Sequence, residues 1–217
     1  FSSAPTGQKT IAISKIVLGE SGEEEAALSS GPVKSIGLSN EALAKYEGSY
    51  WNDRANSVRK IYLKNDTLRY FRSAGNESPI VPIGKDEFQM VQVSEDLLVQ
   101  FEIGETGKSM TVTMNEGQPA IFDGFEPTVP TTEELLSYAG EYYSPELETT
   151  YSSYLKNDTL YFHHTRHGDF KMKIRKKDVL EGEWPLSVIK YQRDEAGLIN
   201  GVLVSNGRVR NLWFEKK

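Results

Sequence analysis

The three histidines of the chain lie within one segment of five residues, HHTRH at positions 163–167. Clustered imidazoles suggest a metal centre, because zinc binds histidine nitrogens at about 2.1 Å. On an extended strand, however, His163 and His164 point to opposite faces. His163 and His167 share a face but stand about 13 Å apart at ~3.3 Å per residue. A straight strand therefore cannot bring two of these rings to one ion.

A bend at Gly168 would be needed to bring His163 and His167 together, and Asp169 is the only acidic partner evident nearby. We therefore expect neither a metal nor another cofactor, and we interpret the segment as the polar tip of a hairpin. A sharper hypothesis is that this hairpin contacts a ligand or a neighbouring domain. The residues that would make this contact are His163, His164, Arg166 and His167.

Aromatic residues provide a second candidate surface, on the strands that lead into the histidine hairpin. Strand alternation places Tyr154 and Tyr161 on the outer face, where amphipathic aromatic rings favour interfaces. A surface that binds sugars or peptides would have the same sequence pattern. Acidic residues give no comparable site: Glu146 and Glu148 fall in a loop, and no spacing fixes two carboxyl groups across a cleft.

Composition restricts the classes of partner. The chain has 217 residues, a net charge of −6 and no cysteine. An acidic protein lacks the cationic surface that binds phosphate backbones, so we expect no nucleic-acid partner. The sequence contains no apolar run near the ~20 residues that a transmembrane helix requires. Without cysteine, disulfides and thiolate metal sites are excluded.

The elements that position these side chains are duplicated. The heptad YLKNDTL occurs at 62–68 and again at 154–160, which is a separation of 92 residues. Asn65-Asp66 is typical of a two-residue type I′ turn, because both residue types tolerate a positive φ. This turn pairs Lys64 with Thr67, and alternation then places Leu63 and Leu68 inside. We therefore interpret the heptad as a repeated hairpin and not as a repeated site.

The duplication extends over two units, at 41–126 and 131–217. After the hairpin the separation falls to 90 residues, so that Val112 and Gly117 match Val202 and Gly207. Each unit contains eight short β-rich runs bounded by turn residues, including one at 169–176, and each begins with a short helix. Thr131 and Glu134 have the spacing of a capping box at the second helix. The fold class is therefore all-β, with two tandem eight-stranded antiparallel barrels.

The first 40 residues belong to neither unit. Apolar residues at helical spacing predict one amphipathic helix at about 7–19, followed by a polar linker. Because the chain begins with Phe1 instead of Met, we expect it to be a fragment or a mature product cut from something longer.

The second unit resembles the lipocalin-like C-terminal module of serine hydrolases in the class C β-lactamase, DD-peptidase and D-aminopeptidase group. The residues that carry the resemblance are Leu135, Tyr138, Gly140, Tyr142, Asp158, Leu160, Tyr161, Gly197, Gly201 and the run from Gly207 to Phe214. The resemblance implies lipocalin-like barrels and a periplasmic or secreted protein. It also implies that residues 1–40 are the tail of an upstream catalytic domain, which would be the main partner.

Such hydrolases carry a Ser-x-x-Lys motif as nucleophile and base partner, and a Tyr-x-Asn element. This chain matches the first at 57–60 and at 187–190, and the second at 50–52. The nucleophile should open a buried helix, whereas both serine matches fall on predicted strands. In addition, the 50–52 match precedes the serine instead of following it. We therefore assign no catalytic residue to the chain.

Two functions remain open, besides the less favoured possibility of an enzyme. In the first, the chain is a non-catalytic accessory region that docks on a hydrolase domain and shapes access to its active site. In the second, one barrel binds a small apolar ligand or a cell-wall fragment. The barrel interior distinguishes them, because a ligand needs a cavity of several hundred Å³. Strands of about six residues favour interiors filled by side chains.

Overall fold

A computed structural model describes residues 33–217, which form two antiparallel β-barrels. The all-β fold class with two tandem barrels is therefore confirmed. The helix expected at 7–19 lies outside the described residues. Within residues 33–217, neither helix has the length or apolar character needed to span a bilayer.

The first barrel is a closed sheet in which each strand pairs with its neighbours in sequence and β1 pairs with β8. Its elements are α1 (Asn40–Ala44), β1 (Gly48–Asn52), β2 (Ser57–Lys64), β3 (Thr67–Ser73), β4 (Asn76–Gly84), β5 (Glu87–Met90), β6 (Leu97–Ile103), β7 (Lys108–Met114) and β8 (Ala120–Phe125). Closure removes the free strand edges that would otherwise invite aggregation.

The second barrel has nine strands in the order β12-β11-β10-β9-β17-β16-β15-β14-β13. Its elements are α2 (Thr132–Ser137), β9 (Gly140–Ser144), β10 (Thr149–Lys156), β11 (Thr159–His164), β12 (Gly168–Lys171), β13 (Lys173–Lys176), β14 (Val179–Glu181), β15 (Val188–Arg193), β16 (Ile199–Asn206) and β17 (Val209–Lys216). The strands at the two ends of this sheet, β12 and β13, are consecutive in sequence but do not pair with each other, so the second barrel is nearly closed.

The prediction of eight strands in the second barrel is wrong by one, because the strand expected at 169–176 is interrupted at Met172. The Met172 N–H still donates to the Leu160 carbonyl of β11, at 3.0 Å. The next residue, Lys173, already pairs with Glu181 of β14. Met172 is buried in the core, so the chain bends there and changes its pairing partner.

The repeated hairpin has the predicted geometry in both barrels. Asn65 and Asp66 have φ angles of 51° and 57°, and the corresponding residues Asn157 and Asp158 have 49° and 52°. Lys64 pairs with Thr67, as a type I′ turn requires. The capping box at α2 is also confirmed, since Thr131 and Glu134 bond to each other's backbone N–H.

Large side chains fill both interiors. One contact is repeated between the barrels: the Tyr50 hydroxyl donates to the Tyr46 carbonyl at 2.7 Å, and the Tyr142 hydroxyl donates to the Tyr138 carbonyl at 2.8 Å. Burial shifts the pKa of Tyr50 and of Tyr142 upward, so both hydroxyls stay protonated. The largest fully buried side chains are Tyr46, Tyr50, Phe88, Ile61, Leu68, Ile80, Met90, Met110, Tyr142, Phe162, Phe214 and Leu160.

The register of the last strands corrects the predicted separation of 90 residues. Met110 lies opposite Phe122, and Val202 lies opposite Phe214, so these pairs are equivalent at a separation of 92. The match of Val112 with Val202 is therefore wrong. Only β6 and β15 are offset by 90, because the connection before β15 is two residues shorter than that before β6 and the connection after β15 is two residues longer.

The barrels contact each other through β1 and the turn that follows it. Trp51 points out of the first barrel yet is only 2% exposed. The Lys190 ammonium group on β15 lies 5.9 Å from the centre of the Trp51 ring and forms an ion pair with Asp53 at 2.8 Å. The Arg210 side chain donates to the Arg54 carbonyl at 3.1 Å. These contacts place the wall of the second barrel next to one end of the first.

Candidate functional site

The histidine segment is a hairpin between β11 and β12, as predicted. The His167 N–H donates to the His164 carbonyl at 3.1 Å, and Gly168 adopts a positive φ of 76°. This tight turn brings the rings of His164 and His167 to 5.0 Å between centroids. The bend at Gly168 therefore brings His167 next to His164. The strand geometry had instead suggested that such a bend would pair His167 with His163.

His164 faces the mouth of the second barrel and is neutral. Its Nδ1 accepts from the Arg166 backbone N–H at 3.1 Å, and its Nε2 lies 2.8 Å from the Thr149 hydroxyl. Because a backbone N–H can only donate, the ring proton sits on Nε2 and is directed to Thr149. Burial, with smaller contributions from His167, His163 and Arg166, shifts the pKa of His164 below its ordinary value.

An exposed tryptophan borders the same mouth. The Trp184 ring lies 6.3 Å from the His167 ring, and Trp184 is 68% exposed. The His164 ring also lies 4.8 Å from that of Tyr151, which is buried in the core. We call His164, His167 and Trp184 the histidine–tryptophan edge. It combines a large exposed aromatic surface with two imidazoles.

The remaining predicted residues lie on the outer wall of the second barrel. Tyr154 and Tyr161 are cross-strand partners whose rings stack at 5.6 Å. His163 Nδ1 lies 2.7 Å from an Asp169 carboxylate oxygen. The His163 ring, and to a smaller extent Tyr154, holds the pKa of Asp169 below its ordinary value. We call Tyr154, Tyr161, His163 and Asp169 the tyrosine face.

The six predicted residues thus fall into two groups instead of one site. His164 and His167 belong to the edge, Tyr154, Tyr161 and His163 belong to the tyrosine face, and Arg166 is exposed at the turn between them. In residues 33–217, no group of three or more potential ligands could hold a metal ion.

The mouth of the first barrel has a different chemistry. The positions equivalent to Tyr151 and His164 are occupied by Arg59 and Arg72. The Arg59 guanidinium lies 5.5 Å from the centre of the Phe122 ring, and that of Arg72 lies 5.0 Å from the Tyr70 ring. The guanidinium groups therefore pack against aromatic rings of the core and also line the opening.

The second barrel covers this mouth and leaves a cleft of about 490 Å³ between the two. We call it the inter-barrel cleft. Its polar lining comes from Asn56, Ser57, Arg59 and Arg72 of the first barrel and from Arg175, Glu181 and Ser187 of the second.

The inter-barrel cleft was not predicted from the sequence, although the alternation of residues along β2 indicates one side of it. The alternation that places Ile61 and Leu63 inside the barrel also places Arg59 inside. An inward-facing arginine near a strand end indicates a polar mouth. Arg175 and Glu181 carried no such indication, because only the contact between the barrels brings them to Arg59.

Comparison with protein-family models and with curated proteins gives no match to this chain. The functional assignment therefore depends on the three surfaces described above: the histidine–tryptophan edge, the tyrosine face and the inter-barrel cleft.

Proposed function

We propose that this chain is a non-catalytic accessory region of a β-lactamase-related serine hydrolase in the periplasm or outside the cell. In this proposal the second barrel docks on the upstream catalytic domain and shapes access to its active site. The observation that carries the proposal is the histidine–tryptophan edge. A tryptophan with 68% of its surface exposed beside two imidazoles has the composition of a docking surface.

The asymmetry between the barrels supports a docking role for the second. At the positions of Tyr161 and His163 the first barrel has Arg69 and Phe71. The tyrosine face therefore adds a second surface, with a rigid stacked pair of rings, that is specific to the second barrel. Rigid amphipathic rings contribute contact area at low cost in conformational entropy.

The filled interiors favour docking over the alternative of an apolar ligand inside a barrel. Tyr50 and Phe88 of the first barrel are fully buried, as are Tyr142 and Phe162 of the second. These rings occupy the central volume that a lipid-like ligand would need. Recognition is then a property of the mouths and outer walls.

The two Ser-x-x-Lys matches support a role without catalysis by this chain. Ser57 and Lys60 are three positions apart on strand β2, so they point to opposite faces. Lys190 of the second match forms the ion pair with Asp53. A lysine must reach the serine hydroxyl to act as its base.

The test begins with the complete protein. A Ser-x-x-Lys motif on a helix and a Tyr-x-Asn element upstream of Phe1 are the expected result, and their absence would overturn the proposal. In addition, residues 1–217 alone should not be labelled by a fluorescent penicillin.

Kinetics of the complete enzyme then test the docking surface. Trp184→Ala and a combined alanine variant of His163, His164 and His167 should each lower kcat/KM by about tenfold, because hot-spot side chains contribute about 1–2 kcal/mol or more. Leu198→Ala is the matched control, because Leu198 is equally exposed at 67% but lies outside both surfaces. Unchanged kinetics in the first two variants would refute the docking role.

A further inference from the structure

We propose that the inter-barrel cleft binds a small organic carboxylate with an apolar body. This inference concerns a surface outside the histidine–tryptophan edge and does not depend on the existence of a parent hydrolase. It follows from the charge, the unpaired polar atoms and the size of the cleft.

The cleft carries two guanidinium groups without a counter-ion. In residues 33–217, neither Arg59 nor Arg72 lies within ion-pair distance of a carboxylate. Arg175, the third arginine of the lining, is paired with Glu181. Two positive charges therefore remain in a protein whose net charge is −6. An anion that enters the cleft would neutralise them.

The hydrogen bonds of the two arginines fix their positions and leave donors available. Arg59 donates through Nε to the Tyr70 hydroxyl at 3.1 Å and through Nη1 to the Val58 carbonyl at 2.8 Å. Its Nη2 group has no acceptor in the described part of the chain. Arg72 uses Nη1 for Ser78 and Asn76, at 3.1 and 3.0 Å, and Nη2 for the Met90 sulfur, at 2.9 Å. The fork of Arg59 is thus held rigidly with one amino group free, which suits a carboxylate oxygen.

Two further polar atoms of the lining are buried without a partner in residues 33–217. These are the Asn56 Oδ1 and the Ser57 hydroxyl oxygen. A buried polar atom without a hydrogen bond costs about 1–3 kcal/mol, so it indicates a missing partner. The Ser57 hydroxyl can donate to a carboxylate, and Asn56 Oδ1 can accept from an N–H or O–H group of the same ligand.

The volume and apolar lining indicate the remainder of the ligand. At about 490 Å³ the cleft lies within the range of small-molecule sites. Trp51, Val58, Leu180 and Val188 contribute apolar surface to its walls. An inorganic anion would leave these walls in contact with water. An organic carboxylate can bury an apolar body against them while its charge lies beside Arg59 and Arg72.

The experiment is a titration of ¹⁵N-labelled residues 1–217 with phenylacetate, followed by amide chemical shifts. Phenylacetamide has the same shape without the charge, and inorganic phosphate has the charge without the apolar body. We expect saturable binding of phenylacetate, with shifts at Ser57, Val58 and Val188. Phenylacetamide and phosphate should bind at least about tenfold more weakly, the factor that one charge-assisted hydrogen bond contributes.

Variants identify the groups responsible. Arg59→Lys and Arg72→Gln should each weaken phenylacetate binding by about tenfold or more, because the first removes the planar guanidinium fork and the second removes both the fork and the charge. Arg208→Gln makes the same charge change at an exposed residue outside the cleft and should leave the affinity unchanged. Thermal unfolding of each variant shows whether the fold is retained. Lysine is chosen at position 59 because it keeps the positive charge and the aliphatic stem, which favours retention of the fold.

Three results would overturn the assignment. The first is absence of binding by phenylacetate. The second is binding of phenylacetamide or phosphate as tight as that of phenylacetate at the same residues. The third is an equal loss of affinity in Arg208→Gln. Because the isolated chain is used, none of these results bears on whether a catalytic domain lies upstream.

Discussion

Truncation of the repeated leucine tests the conclusion that the heptad is a folding element. Leu68 and Leu160 occupy the same position in the two copies and are 0% and 2% exposed. Replacement by alanine removes three buried carbons, which at ~0.8 kcal/mol each amounts to about 2.4 kcal/mol of transfer free energy. The unfilled cavity adds to this loss. We expect each variant to lower the free energy of unfolding by about 3 kcal/mol or more.

The assay is guanidinium chloride unfolding followed by circular dichroism, with hydrogen exchange to assign the loss to one barrel. Leu68→Ala should increase exchange in peptides covering 59–73, and Leu160→Ala in peptides covering 151–165. Lys64→Ala and Lys156→Ala are the matched controls, because these lysines belong to the same heptads and are exposed. They should change the stability by less than about 0.5 kcal/mol. A loss below about 1 kcal/mol in either leucine variant would refute the assigned register.

Two further predictions concern the turn and the histidine of the second barrel. Asp158→Gly should raise the free energy of unfolding by about 0.5–1 kcal/mol, because glycine adopts the φ of 52° without the penalty of a Cβ atom. Asp66→Gly should gain less in the same denaturation assay, because Asp66 also accepts a 2.7 Å hydrogen bond from Asn40. Burial lowers the pKa of His164 in the folded state below the ordinary 6.5, so the unfolded protein binds a proton at this residue more readily than the folded protein does. The contribution of neutral His164 to the free energy of unfolding is therefore complete above pH 6.5 and is lost as the pH falls below that value. His164→Gln should therefore lose less stability than the wild type between pH 7 and pH 5, and equal losses would contradict the lowered pKa of His164.

The sequence by itself determined the local geometry. Alternation and turn residues predicted the hairpin register at Asn65-Asp66, and the spacing of Thr131 and Glu134 predicted the capping box. These features depend on residues within a few positions of one another, whose allowed φ and ψ angles are set by their own side chains. The repeat of such hairpins was sufficient to predict two antiparallel barrels.

Only the tertiary structure decided how distant segments meet. The bend at Met172 depends on a choice between two strand partners, which no local pattern specifies. The pairing of His164 with His167 depends on how the turn closes at Gly168. The approach of Arg175 to Arg59 requires the second barrel to dock on the first, which the buried Trp51 and the Lys190–Asp53 ion pair bring about. The contacts between the two barrels join residues more than a hundred positions apart. Their energy comes from shape and charge complementarity between folded surfaces, and such surfaces exist only after each barrel has formed.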